Sequence, residues 1–121
     1  MAQILLVDDD TNVLLTLAIA LRRQGHTVTV AQNGWQALSL LRRERFAFLI
    51  SDVKMPGMTG IELAQRAHAL PDAPLVILTS ALEVDITNGI AEHFLPKPVD
   101  VVQLHEMLVH DTHRHAEKHI A

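Results

Sequence analysis

Five short apolar runs, separated by longer segments of helical period, constrain this chain more than any of its other features. The runs are QILLVD (3 to 8), TVTVA (27 to 31), FAFLIS (46 to 51), LVILT (75 to 79) and HFLP (93 to 96). Between them lie TNVLLTLAIALRRQG, NGWQALSLLRRER and GIELAQRAHAL, and a long helical segment follows from Val101. Strands that are apolar almost throughout, rather than at alternate positions, belong in a parallel sheet covered on both faces. Three helix starts pair a capping side chain with a second polar residue three positions on: Asn33 with Gln36, Thr59 with Glu62, and Asp100 with Gln103. Right-handed crossovers between such strands give an α/β fold with a doubly wound, five-stranded parallel sheet.

At 121 residues, 49% hydrophobic and 20% charged, the chain can bury one core, and a single domain over 1 to 121 is expected. Its polar end, HDTHRHAEKHIA, is expected to fray at 119 to 121. The absence of cysteine excludes a disulfide, a thiolate nucleophile and a cysteine-based zinc site, and it fits a cytoplasmic protein. MAQILLVDDD turns acidic where a signal peptide needs a basic start and a longer apolar stretch. No apolar run reaches membrane-spanning length, so no membrane partner is expected. A net charge of -4 argues against direct nucleic-acid binding, which needs clustered excess base. Arg22, Arg23, Arg42, Arg43 and Arg45 fall at the ends of the expected helices, where cations complement the helix dipole.

In a doubly wound sheet, function sits beyond the carboxyl ends of the strands. Asp8 and Asp9 stand at the end of strand one, Asp52 after strand three, Thr79 and Ser80 after strand four, and Lys97 after strand five. With strand order 2-1-3-4-5, strands one and three are neighbours and these groups share one pocket. Three carboxylates together repel, so either one keeps its proton or a divalent cation sits among them. An oxygen-only pocket suits magnesium. In KMPGMTG, Pro56 and Gly57 force a tight turn that can aim the Lys54 carbonyl at the acids. A phosphoryl group could then lie in line with a carboxylate nucleophile, with Lys97 beside it and Thr79 donating to it. Taken singly, Asp10 or Thr11 reads as a helix cap, Lys97 as a solvated turn residue and Thr79 as a strand-end hydroxyl. It is their convergence at four strand ends that speaks for chemistry.

ILLVDDD, SDVKMPGMTGIEL, PLVILTS and FLPKP, in that order, resemble the motifs of the receiver domain of bacterial two-component response regulators. The resemblance spans residues 3 to 110 and implies a flavodoxin-like three-layer sandwich. It further implies that Asp52 is the phosphoacceptor, loaded from a phosphohistidine on a sensor histidine kinase or histidine phosphotransfer protein. Asp9 would bind Mg2+ directly and Asp8 largely through water, with Asp52 and the Lys54 carbonyl completing the protein ligands. Thr79 would follow the phosphoryl group inward, Phe94 would be the switch aromatic, and Lys97 would pair with a phosphoryl oxygen. Such a chain promotes its own phosphorylation and dephosphorylation, and is not an enzyme acting on a separate substrate. It signals to a downstream protein partner or through a phosphorylation-dependent dimer. The Lys97-Pro98 bond would be cis. One departure stands out: between Thr79 and Lys97 the chain is about one helical turn shorter than the family's usual spacing, so a shortened fourth helix is expected there.

A second reading is a magnesium-dependent phosphatase of haloacid-dehalogenase type, with Asp8 as nucleophile and Asp10 as general acid. Its Asp-x-Asp-x-Thr pattern would need Thr where Asn12 stands. Glycine fingerprints for a dinucleotide or P-loop site are absent after strand one, and the acidic loop DDDTN repels a flavin phosphate. Within the receiver reading, a stand-alone regulator and the input domain of a longer protein both remain open. Trp35 reads as a partly exposed packing residue, Met55 and Met58 as loop packing. His115 and His119 have the spacing of a metal pair but read as a solvated helix end.

Overall fold

A computed structural model describes residues 2–120, and the side-chain surroundings of residues 2–112. The element order is β1 (Gln3–Val7), α1 (Thr11–Arg23), β2 (Thr27–Ala31), α2 (Gly34–Arg43), β3 (Phe48–Asp52), α3 (Gly60–His68), β4 (Leu75–Ser80), β5 (His93–Pro96) and α4 (Val101–Ile120). The strands form one parallel sheet in the order β2-β1-β3-β4-β5. The side chains of His113, His115 and His119 and all of Ala121 lie outside the described residues. No helix among the described residues is long and apolar enough to cross a membrane.

The uninterrupted apolar runs are explained by cover on both faces. All five residues of β3 are buried. Ile4, Leu6, Phe48, Ile50, Ile77 and Leu95 face Leu14, Leu21, Leu104 and Leu108 of α1 and α4. Their alternating neighbours Leu5, Val7, Leu49, Val76 and Leu78 face Ala37 and Leu38 of α2 and Leu63 and Ala64 of α3. The period of two along each strand thus feeds two apolar layers, as the sandwich requires.

The helix starts are specified locally. Asp10 caps α1, its Oδ1 accepting the amides of Asn12 at 3.0 Å and Val13 at 3.2 Å. Thr59 and Glu62 form a complete capping box at α3. At α2, Asn33 accepts from the Gln36 amide, but the Gln36 side chain reaches the Gln32 amide instead of returning to Asn33. Asp100 accepts from the Gln103 amide at 3.1 Å and so starts α4. Arg22 and Arg23 close α1, and Arg42 and Arg43 close α2, in the last turns where the dipole favours them.

The expected short helix between β4 and β5 is not there. Residues 81–92, all described, form turns and bends with no helical turn, so there are four helices among the described residues where five would complete the pattern. Local side chains compete for the backbone. Asp85 Oδ1 accepts both the amide of Thr87 at 2.9 Å and its hydroxyl at 2.7 Å, and Asn88 Oδ1 accepts the Ile90 amide at 3.1 Å. Gly89 takes φ +80°, which reverses the chain. The result is a strap rather than a helix. Its buried Ile90 and Ala91 and its half-buried Ile86 pack with Phe94 on the α2/α3 side of the sheet. Glu92 fastens it: its amide donates to the Val76 carbonyl at 2.9 Å, and its carboxylate accepts the Val76 amide at 2.5 Å.

Candidate functional site

The sheet register delivers the polar strand ends to one place. Val7 pairs with Ser51, Asp52 with Thr79, and Thr79 with Leu95, so the residues that follow β1, β3, β4 and β5 emerge along one edge. Asp8 and Asp52 are buried, and Asp9 is exposed. Each of these three acids offers an oxygen, and the three oxygens lie within 4.8 Å of one another. Lys97 Nζ reaches Asp8 Oδ2 at 2.8 Å and Asp52 Oδ2 at 3.3 Å. The other Asp8 oxygen accepts the Asp10 amide at 2.9 Å. Asp8 is therefore engaged through both oxygens, which disfavours it as a nucleophile.

Burial, followed by the charge of Asp8, pushes the Asp52 carboxyl above the usual aspartate range, and Lys97 only partly offsets this. Burial alone would lower Lys97, but its hydrogen bond and charge contacts with Asp8, together with those with Asp52, outweigh it and hold the ammonium above the ordinary lysine value. Three carboxylates against one ammonium leave a negative excess, and every nearby acidic donor is a hard oxygen. That donor set fits a hard divalent cation such as magnesium.

The loops around the acids are tightly built. The Gly60 amide donates to the Val53 carbonyl at 2.8 Å, and a Cβ on Gly60 would lie 2.1 Å from the Asp52 carbonyl oxygen. Only glycine lets α3 start this close to Asp52. Gly57 turns the chain at φ +82°. Buried Met58 packs so closely on α2 that a Cβ on Gly34 would come within 2.7 Å of it, and Met55 is buried too, as loop packing requires. Lys54 lies exposed in this loop. Trp35, 58% exposed at the start of α2, lies against Gly57 and has the Arg66 guanidinium 5.2 Å from its ring.

On the far side, buried Thr79 stands beside Asp52 in the sheet, while half-buried Phe94 pairs with Leu78 and packs against the strap side. The Lys97-Pro98 bond is cis. Ser80 has a part the sequence did not disclose. Its carbonyl accepts the Lys97 amide at 3.0 Å and its hydroxyl accepts the Leu82 amide at 3.1 Å, so it ties the Lys97 loop to the first residues of the strap. A hydroxyl at a strand end was the available signal, but its partners are fixed only by the β4-β5 register.

The chain matches the family model for the response regulator receiver domain over residues 4–109. The transcriptional regulatory protein AfsQ1 of Streptomyces coelicolor is 34% identical over 82% of this chain, which spans only 46% of AfsQ1. The "Uncharacterized 14.6 kDa protein in sodA1 3'region" of Leptolyngbya boryana is 44% identical, with 84% of this chain and 82% of that protein covered. Among solved structures, a CheY-like response regulator receiver domain protein from Methanospirillum hungatei superposes with a TM-score of 0.90 at 27% identity, over 98% of both chains. The response regulator protein TrrA of Thermotoga maritima, in complex with Mg(2+)-BeF, gives a TM-score of 0.81 at 28% identity, over 89% of this chain and 96% of that one.

Proposed function

Because the chain belongs to the response regulator receiver domain family of two-component systems, we propose that Asp52 accepts a phosphoryl group from a phosphohistidine on a sensor histidine kinase or histidine phosphotransfer protein. The observation that carries this reading is the contact of Asp52 with Lys97 at 3.3 Å inside a cluster whose acidic oxygens lie within 4.8 Å. An Asp52 oxygen attacks phosphorus, the P–N bond to the donor imidazole breaks, and the imidazole leaves with the electron pair and takes up a proton. The product is an acyl phosphate on Asp52. Lys97 turns from the two carboxylates to a phosphoryl oxygen, and Thr79 donates its hydroxyl to another. Asp9, Asp52 and the Lys54 carbonyl would hold Mg2+ directly, and Asp8, already engaged through both oxygens, would hold it through water. When bound, magnesium supplies the positive charge that offsets the carboxylates and the incoming phosphoryl oxygens.

The donor protein has a landing beside the site. An apolar groove lined by Val13, Leu17, Ala20, Pro98 and Val101 opens next to Lys97. On the opposite side, inward movement of Thr79 makes room for Phe94, which packs beneath the strap and changes the face offered to a downstream protein or a second phosphorylated copy. Residues 1–121 act as one receiver unit in the cytoplasm, promoting its own phosphorylation and dephosphorylation without direct contact to nucleic acid.

Acetyl phosphate with magnesium should add a single phosphoryl mass to the chain, and Asp52→Asn should abolish it. An undiminished adduct in that variant overturns the assignment, and an adduct that moves to Asp8 favours the phosphatase reading.

A further inference from the structure

Two histidines from the rest of the fold meet the last helix, and their partners there are opposite in kind. His26, in the turn between α1 and β2, is 6% exposed. Its Nδ1 accepts the Ala2 amide at 3.4 Å, and its Nε2 lies 2.9 Å from Nδ1 of His105 on α4. The rings meet edge to face with centroids 5.0 Å apart. An amide N–H only donates, so His26 Nδ1 carries no proton and the ring's hydrogen sits on Nε2. That hydrogen is donated to His105 Nδ1, which leaves the proton of His105 on its own Nε2.

The pair is complete only while both rings are neutral. A proton added to His105 goes to Nδ1 and meets the His26 N–H. A proton added to His26 goes to its Nδ1 and meets the Ala2 N–H. Either addition sets two donors against each other. The charged groups that act on His26 offer no relief: His105 from α4 and the chain's amino terminus are both cationic when charged. Burial, then those charges, hold His26 below the usual histidine value of 6.5. The stability it contributes is therefore complete above about pH 6.5 and is lost as pH falls toward the depressed folded value. His93 on β5 is placed the other way. It faces the carboxylate of buried Asp111 on α4 at 2.5 Å, so its ring nitrogen meets an acceptor rather than a second ring.

We propose that the His26–His105 contact is a proton-operated clasp, closed at neutral pH and opened by mild acid, which frees the first turns of α4 while His93 and Asp111 keep its later part on the sheet. The clasp and the phosphorylation site are separate: His105 and His26 touch none of the acids at the strand ends.

Ring nitrogen NMR on the full chain from about pH 8 to about pH 5, with amide exchange corrected for intrinsic rates, tests the clasp. At neutral pH both rings should be Nε2–H tautomers. On acidification, protection of the amides of 104–110, which donate to the carbonyls of 100–106, should fall roughly five- to tenfold while that of 111 and 112 holds. His105→Gln, which offers His26 a non-titrating acceptor, should keep most of the protection at acid pH. A hydrogen on Nδ1 of neutral His26, undiminished protection in the wild type, or equal losses in wild type and variant would each overturn the clasp. The tautomer measurement needs only the wild-type chain, so it decides even if the variant fails to fold.

Discussion

The two faces of the sheet are covered by different means. On one, α1 and α4 lay Leu14, Leu21, Leu104 and Leu108 on the strands, none more than 1% exposed. On the other, α2 and α3 do the same over the centre, but beyond them the end of the sheet has only the strap, with Ile90 at 9%, Ala91 at 7%, and Ile86 and Phe94 half-buried. A parallel connection needs about a dozen residues to return to the start of the next strand, and a helix is the usual way to use them. Here residues 81–92 supply about that reach without the helix. What β4 and β5 demand of their crossover is reach and a few apolar anchors. Regular backbone pairing can be replaced by turns that side chains satisfy.

If that contrast is right, truncation should cost unequally on the two faces. Leu108→Ala, at a fully buried position under α4, should destabilise by about 2–5 kcal/mol in urea unfolding, because the surrounding helices cannot collapse into the space. Ile90→Ala should cost under about 2 kcal/mol, since the strap can settle. Equal losses would mean that the strap is packed as rigidly as a helix.

The fastening of the strap is the next point of attack. Glu92→Ala removes the acceptor from the Val76 amide and should cost about 1–3 kcal/mol. It should also raise amide exchange across 81–92 more than in α1. A variant that exchanges like the wild type would place the anchor in Ile90 and Ala91 instead.

The smallest effect concerns activation. Beryllofluoride, a mimic of the phosphoryl group, should raise protection of 81–92 by about tenfold, or about 1.4 kcal/mol, and leave α1 unchanged. Protection confined to the Asp52 loop would show that the strap does not respond, and would remove the proposed route through Thr79 and Phe94.

Much of this architecture could be read from the amino acids. The strands were legible because apolar runs such as FAFLIS have no alternation to mistake, and the acids at their ends were legible because a carboxylate ending such a run has few structural reasons to be there. The strap was not. The shortened spacing between Thr79 and Lys97 announced a short helix, but whether a short helix forms at all depends on Asp85 and Asn88 capturing nearby amides, which is a competition of small differences. The His26–His105 contact was invisible for another reason. Its partners are 79 residues apart, and only the packing of α4 across the sheet brings them together.

Trp35 carries a practical consequence. It is the chain's one tryptophan, and a Cβ placed on Gly57 of the turn after Asp52 would lie 3.8 Å from its Nε1. Its ring is open to solvent on one side and lies near a guanidinium. Indole emission is sensitive to water and to nearby charge. The protein thus has a built-in optical reporter beside the turn that follows Asp52, and any rearrangement of that turn can be followed by fluorescence in real time on unlabelled material.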